Sequence, residues 1–158
     1  AFVAQPSVDE ARDVFHVRKL IEERVIARVI AVIADADIPR LETHLADERA
    51  ADARGDTSTG IRLSGGFHLL LAELSGSEFL STVLRDLVSR SSLITAMYRR
   101  QHGCNCGPED HAALIRAIAA RDASTAQVTM RNHLDNVEAE LDLSEDTPLI
   151  RDLRDAFS

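Results

Sequence analysis

Three histidines in this sequence stand where a bundle would otherwise place apolar side chains. Between residues 61 and 75, Ile61, Ser64, His68, Leu71 and Ser75 recur at steps of three and four. In the stretch PEDHAALIRAIAARD, His111 shares a helical face with Leu114, Ile115 and Ile118. Further on, Ala126, Met130, His133, Val137 and Leu141 repeat the same spacing. Side chains three and four apart lie on one side of a helix, so each of the three helices directs one imidazole inward. Taken singly, each is a core histidine with satisfied hydrogen bonds. Taken together they form a set of neutral imidazoles, the commonest protein ligands for transition metals. Three imidazoles meeting at one point would hold a divalent ion and leave positions open for water or a ligand.

Arg18 breaks another apolar stripe, Val14, Arg18, Ile21, Val25. Two readings stand beside each other. The guanidinium can snorkel or pair with Glu22 one turn on. Alternatively it can clamp a carboxylate through two parallel hydrogen bonds. A further cluster, His102, Cys104, Cys106 and His111 in H-x-C-x-C-x4-H, matches none of the common zinc spacings and reads as a solvent-facing loop. The two cysteines are too close in sequence for an easy mutual disulfide, and free thiols suit a reducing cytoplasm. Acidic runs such as ADERAADARGD read as solvated helix faces. No glycine-rich phosphate loop and no nucleophile–base pair is recognisable, and Ser64 with His68 does not make a serine triad.

These side chains need a scaffold, and the composition provides for one. The chain has 158 residues, 45% hydrophobic and 28% charged, enough for one domain with a real core. No apolar run approaches the roughly 18–20 residues of a membrane-spanning helix, and no secretory signal opens the chain. It begins at Ala1 rather than Met, as expected of an excised or processed piece. A formal net charge of −8 and a single lysine, Lys19, disfavour binding of nucleic acid by this chain itself.

The periodicity is helical throughout, without alternating strands. Ser7 with Glu10 forms a capping box opening a first helix over about 8–34. Asp37 and Pro39 open a second, running to about Arg54, and ARGDTSTG is a turn. A third helix runs to about residue 75. Ser77 caps a fourth, extending to about Arg100, and HGCNCG is a loop. Pro108 opens a fifth helix ending near Arg121. Asp122 or Ser124 caps a sixth, to about Leu141, and Thr147 with Pro148 starts a short last one. The expected fold is therefore all-α, an antiparallel bundle of six to seven helices in a single domain covering 1–158.

Three segments carry a family resemblance: VFHVRKLIEE, GGFHLLLAELSGSEFL and, most specifically, EDHAALIRAIAARDASTAQVTMRNHL. From about residue 9 to 142 the chain resembles the FCD domain, the C-terminal effector-binding domain of FadR-type regulators in the GntR family. Metal-binding members carry Asp-x3-His followed by two later histidines, the last two separated by 21 residues. His68, His111 and His133 match, with 42 and 21 residues between them. Ser64 stands at the aspartate position. This departure removes a negative charge, leaving a weak fourth ligand or a position open to water or effector.

The resemblance implies a divalent transition metal, zinc or nickel foremost, held by His68, His111 and His133. It implies a small organic acid whose carboxylate coordinates that metal and reaches Arg18. It also implies a cytoplasmic homodimer without enzymatic activity. Operator DNA would be contacted only through an N-terminal winged helix-turn-helix module that this chain does not contain. Two other readings remain: a small metalloenzyme with an open three-histidine site, using Glu73 or Asp110 as base, and a helical dimerisation module with no ligand.

Overall fold

The computed structural model describes residues 5–100 and 107–144. Within them the backbone forms α1 (Val8–Val32), a 3-10 turn (Asp35–Asp37), α2 (Ile38–Ala53), α3 (Thr57–Leu74), α4 (Glu78–Tyr98), α5 (Gly107–Ala119) and α6 (Ala123–Ala139). The all-α architecture is the one the periodicity predicts. The predicted seventh helix, with Thr147 and Pro148, lies outside the described residues, as do His102, Cys104 and Cys106.

The helix starts follow from side chains that bind the first free backbone N–H groups. Ser7 accepts from the Glu10 N–H at 3.1 Å. The reciprocal half of that capping box is absent, because the Glu10 carboxylate accepts from Arg90 at 3.0 Å instead. Ser77 accepts from the Leu80 N–H at 3.3 Å, and Asp122, rather than Ser124, caps α6 through the Thr125 N–H at 3.0 Å. Asp37 precedes α2 but makes no side-chain cap. The segment expected as a turn, ARGDTSTG, is shorter than that. Asp56 accepts from the Thr59 N–H at 3.1 Å and so starts α3 at Thr57.

The connections are tight. Gly55 and Gly76 take positive φ angles of 66° and 67°, which glycine adopts without a Cβ penalty. Arg121 adopts φ 56° between α5 and α6 despite its side chain. Its guanidinium meets the Ile33 carbonyl at 2.9 Å and Asp35 at 2.6 Å, tying this turn to the end of α1.

Helix α3 packs between α2 and α4, α1 lies against α4 and α6, and α5 joins α2 to α6. The main core gathers residues of all six helices, including Ile26, Leu41, Phe67, Leu71, Leu84, Leu114, Ile118 and Leu134. Each such side chain contributes roughly 1.5–3 kcal/mol by leaving water. A smaller core at the other end holds Phe15, Ile94, Met97, Tyr98 and Leu141. There Tyr98 donates to the Pro6 carbonyl at 2.8 Å, and Arg99 and Leu141 form an isolated antiparallel bridge. No helix among the described residues is long and apolar enough to cross a membrane.

Candidate metal centre

Buried polar residues interrupt these cores, and most of them meet at one place. His68 on α3, His111 on α5 and His133 on α6 are all at most 2% exposed. The Nε2 of His133 lies 3.2 Å from that of His68 and 3.1 Å from that of His111. The sequence-predicted triad is thus assembled. Phe67 closes one side, stacking on the His111 ring at a centroid distance of 4.0 Å and an interplanar angle of 18°.

Each imidazole turns its other nitrogen to a carboxylate. His68 Nδ1 donates to Glu22 of α1 in a short hydrogen bond. His111 Nδ1 is 2.7 Å from Glu48 of α2, and His133 Nδ1 is 3.3 Å from Asp110 of α5. A carboxylate accepting at Nδ1 places the ring proton there and leaves the Nε2 lone pair free. Three such lone pairs then face one another in a buried site, a repulsive arrangement that a cation relieves.

The spacing suits an ion. Imidazoles bound at about 2.0–2.1 Å stand about 3.3 Å apart around a tetrahedral ion and about 3.0 Å apart on one face of an octahedral one. The observed 3.1 and 3.2 Å fall between the two. Carboxylate partners at the distal nitrogens are the usual outer support of metal-binding histidines. Burial also keeps the rings uncharged. It pushes His68 down to about 4, partly countered by Glu22, and His133 down to about 4 with help from His111. His111 is driven well below its ordinary value by burial and then by His68.

The three carboxylates differ. Burial would raise Glu22, but Arg18 and His68 outweigh it and hold its carboxyl at about 2. Burial does raise Glu48, to about 7, despite the pull of His44, His68 and His133. One of its oxygens, Oε1, is buried without a hydrogen bond. Asp110 is lowered by its hydrogen bond to His133 and by Asn136, which donates to it at 3.0 Å.

Arg18 sits beside this cluster at 5% exposure. Its Nε donates to Glu22 at 2.7 Å and its Nη1 to Ser91 at 2.9 Å, so the pairing one turn along α1 is realised. Its Nη2 stands 2.6 Å from the same Glu22 oxygen but outside hydrogen-bond geometry, and is left without such a partner. Glu22 therefore links Arg18 to His68. Arg18, Ser64, His68 and His133 line one cavity of about 130 Å³ that opens between α3, α4 and α6. Ser64 thus borders the cavity one turn before His68.

Several expectations shift. Glu48, within the acidic run ADERAADARGD, is 3% exposed and serves His111 rather than facing solvent. The signal was present, since Leu41, Leu45 and Glu48 continue one stripe of α2. Asp110 meets His133 and Asn136 rather than standing free as a base. Glu73 is exposed and paired with Arg40 at 2.7 Å. His111 belongs to the triad.

Comparison with known proteins follows this geometry. The FCD domain family matches residues 13–136. The HTH-type transcriptional regulator LutR of Bacillus subtilis (strain 168) is 26% identical over 136 residues, covering 82% of this chain and 61% of its own length. Among solved structures, Streptococcus agalactiae GntR is 26% identical with a TM-score of 0.72, covering 84% of this chain and 60% of that one. E. coli McbR/YncC, at 16% identity and a TM-score of 0.74, covers 84% and 64% and shares the fold. The chain thus spans under two thirds of the length of each of these proteins.

Proposed function

The chain belongs to the FCD domain family, and on that premise we propose that it is the effector-sensing half of a GntR-type transcriptional regulator. In this reading His68, His111 and His133 hold a divalent transition metal, zinc or nickel foremost. The effector is a small carboxylate received beside them, with Arg18 as its second contact. The observation that carries the reading is the convergence of three Nε2 atoms, each ring backed by a carboxylate at Nδ1, beside a cavity lined by His68, His133 and Arg18.

The chain's own residues define the binding chemistry. Glu22 and Asp110 keep the Nδ1 protons of His68 and His133 in place, and Glu48 does the same for His111 when ionised, so that the Nε2 lone pairs stay free. Burial holds the rings neutral over the physiological range. Arg18 brings a fixed positive charge to the cavity wall, with Glu22 and Ser91 holding its orientation. When bound, a divalent ion supplies the Lewis-acid charge that attracts a carboxylate.

An effector here would touch α1 through Arg18, α3 through His68 and α6 through His133, favouring one arrangement of these helices over others. At the far end of the cavity lies Arg99, bridged to Leu141 and next to Tyr98, which holds Pro6 ahead of α1. That path leads toward a DNA-binding module attached before α1 in a homodimeric full-length regulator. The net charge of −8 suits a sensor half that leaves DNA contact to such a module.

The test is metal content followed by acid binding. Protein purified without chelator or metal-binding tag is expected to carry about one divalent ion per chain, lost in His68→Ala and His133→Ala. Acetate titrated into the loaded protein should bind, and more weakly to Arg18→Ala and His68→Ala. Unchanged affinity in both variants would remove the site assignment.

A further inference from the structure

We propose that His44 is a positioning residue of the metal centre, tying α2 to α3 and steadying Glu48 behind the His111 ring; this rests on the metal-binding reading above. His44 and Glu48 stand four residues apart on α2, so their side chains lie one above the other on the same helix face. The Nε2 of His44 lies 2.7 Å from the carbonyl oxygen of Leu63 on α3. A carbonyl only accepts, so Nε2 carries the ring proton and donates it to this hydrogen bond. Leu63 precedes His68 on the same helix by little more than one turn. One hydrogen bond therefore fixes the helix that carries Glu48 against the helix that carries His68.

The surface of α3 is shaped to receive the ring. A Cβ at Gly66 would stand only 3.1 Å from His44 Cε1. Glycine inside a helix is unfavourable relative to alanine, and here its missing side chain leaves the notch in which the imidazole sits. Beside the notch, Phe67 faces His44 at a centroid distance of 6.0 Å and stacks on His111 at 4.0 Å. His44 thus meets α3 at Leu63, Gly66 and Phe67, directly ahead of His68.

The three supporting carboxylates show what the ring does there. Glu22 accepts from Arg18 as well as from His68, and Asp110 accepts from Asn136 as well as from His133. Glu48 accepts from His111 through Oε2 at 2.7 Å, while its Oε1 is buried without a hydrogen bond. That oxygen faces His44 Nε2 at 3.5 Å. The N–H points to Leu63, so this is no hydrogen bond, yet its positive edge lies beside the negative oxygen. A buried oxygen without a hydrogen bond is costly, and the neighbouring N–H partly offsets that cost. Without the imidazole, Glu48 loses the neighbour that keeps Oε2 turned to His111.

The experiment measures Zn²⁺ affinity, by competition with a chromophoric chelator, for this chain, His44→Ala, His44→Gln, Glu48→Ala and the double variant His44→Ala/Glu48→Ala. Melting curves of the metal-free proteins check folding; if His44→Ala does not melt cooperatively, His44→Leu, which fills the notch without a donor, takes its place. His44→Ala is expected to weaken Zn²⁺ about tenfold, the lower end of the range for groups that orient a ligand ring. His44→Gln, whose amide N–H can reach the Leu63 carbonyl, should return affinity to within about threefold of the unaltered chain. Because His44 acts through Glu48, His44→Ala should change affinity by less than about twofold once Glu48→Ala is present. Unchanged affinity in His44→Ala would overturn the inference. So would a loss that persists in the Glu48→Ala background, or one that glutamine does not reverse, since either makes His44 a packing residue only. No Zn²⁺ bound by the unaltered chain would overturn the metal reading, and this inference with it.

Discussion

The Nε2 atoms of His111 and His133 lie 3.1 Å apart in a fully buried site, and each ring spends its other nitrogen on a carboxylate. That arrangement stores repulsion in the metal-free fold and releases it on binding a cation. Metal should therefore stabilise the chain by mass action. At a free ion concentration about one hundred times the dissociation constant, the gain is about 2.7 kcal/mol, or roughly 5–10 °C in Tm for a chain of this size. Thermal melts with Zn²⁺, Ni²⁺ and chelator check this. His133→Ala, which removes the ring nearest both others, should melt at the same temperature with and without metal.

The three supporting carboxylates separate metal affinity from stability. Glu22→Gln, Glu48→Gln and Asp110→Asn should each lower metal affinity about 10- to 100-fold, because each leaves a ligand ring less firmly oriented and less basic. Only Glu22→Gln should also destabilise the apo fold strongly, by about 3 kcal/mol. It leaves the Arg18 guanidinium buried at 5% exposure without its counter-charge. Asp110 is partly exposed, with 25% of its side chain accessible, so its loss should matter little to folding. Denaturant titration beside competitive metal titration distinguishes the two effects.

The buried groups predict how metal-free stability follows pH. His68 and His133 titrate near 4 in the fold, below their ordinary value of 6.5. Between those limits the unfolded chain binds more protons, so these residues lower stability as pH falls from 6.5 to 4. Glu22, held near 2 against an ordinary 4.5, extends the loss below pH 4.5. Glu48 acts in the opposite direction: raised to about 7, it favours the fold at lower pH within the window 4.5–7. Two histidines, with His111 lowered as well, outnumber one glutamate. The denaturation midpoint in chelator should therefore drop from pH 7.5 to pH 5, and drop more steeply in Glu48→Gln. A midpoint that rises on acidification would contradict these assignments.

Much of this was legible in the sequence, for identifiable reasons. Helix starts announced themselves because Ser7, Ser77 and Asp122 answer a local demand for hydrogen-bond acceptors. The histidine triad was legible because each imidazole sits on a stripe whose other members are apolar, and a stripe fixes direction. Arg18 with Glu22 needed only the four-residue step. What pattern could not reveal was the far partner of each buried polar atom. Glu48 lies among exposed acids, Asp47 and Asp52, and nothing local distinguishes it except its step from Leu45. Asp110 stands next to His111 in the chain yet serves His133, because neighbours on a helix point apart while packed helices bring distant residues together. The start of α3 at Thr57 was hidden by the turn-like composition of DTSTG, whose aspartate turned out to be the cap.

Ser64 offers the sharpest test of how the site is shared between metal and effector. It precedes His68 by one helical turn and borders the same cavity. Ser64→Asp would place a carboxylate beside the three imidazoles, adding a hard, charged ligand where a neutral hydroxyl now stands. Metal affinity should rise, by about tenfold if the added charge is worth about 1.4 kcal/mol. The same charge should repel an incoming carboxylate and occupy a position otherwise open to it, so acetate binding should weaken. Opposite movements of the two affinities, measured on one preparation, would mean that metal and acid meet at a common point. If metal affinity rose with acetate binding unchanged, the acid would have to be held elsewhere in the cavity, with Arg18 as its anchor and the histidine site beside it.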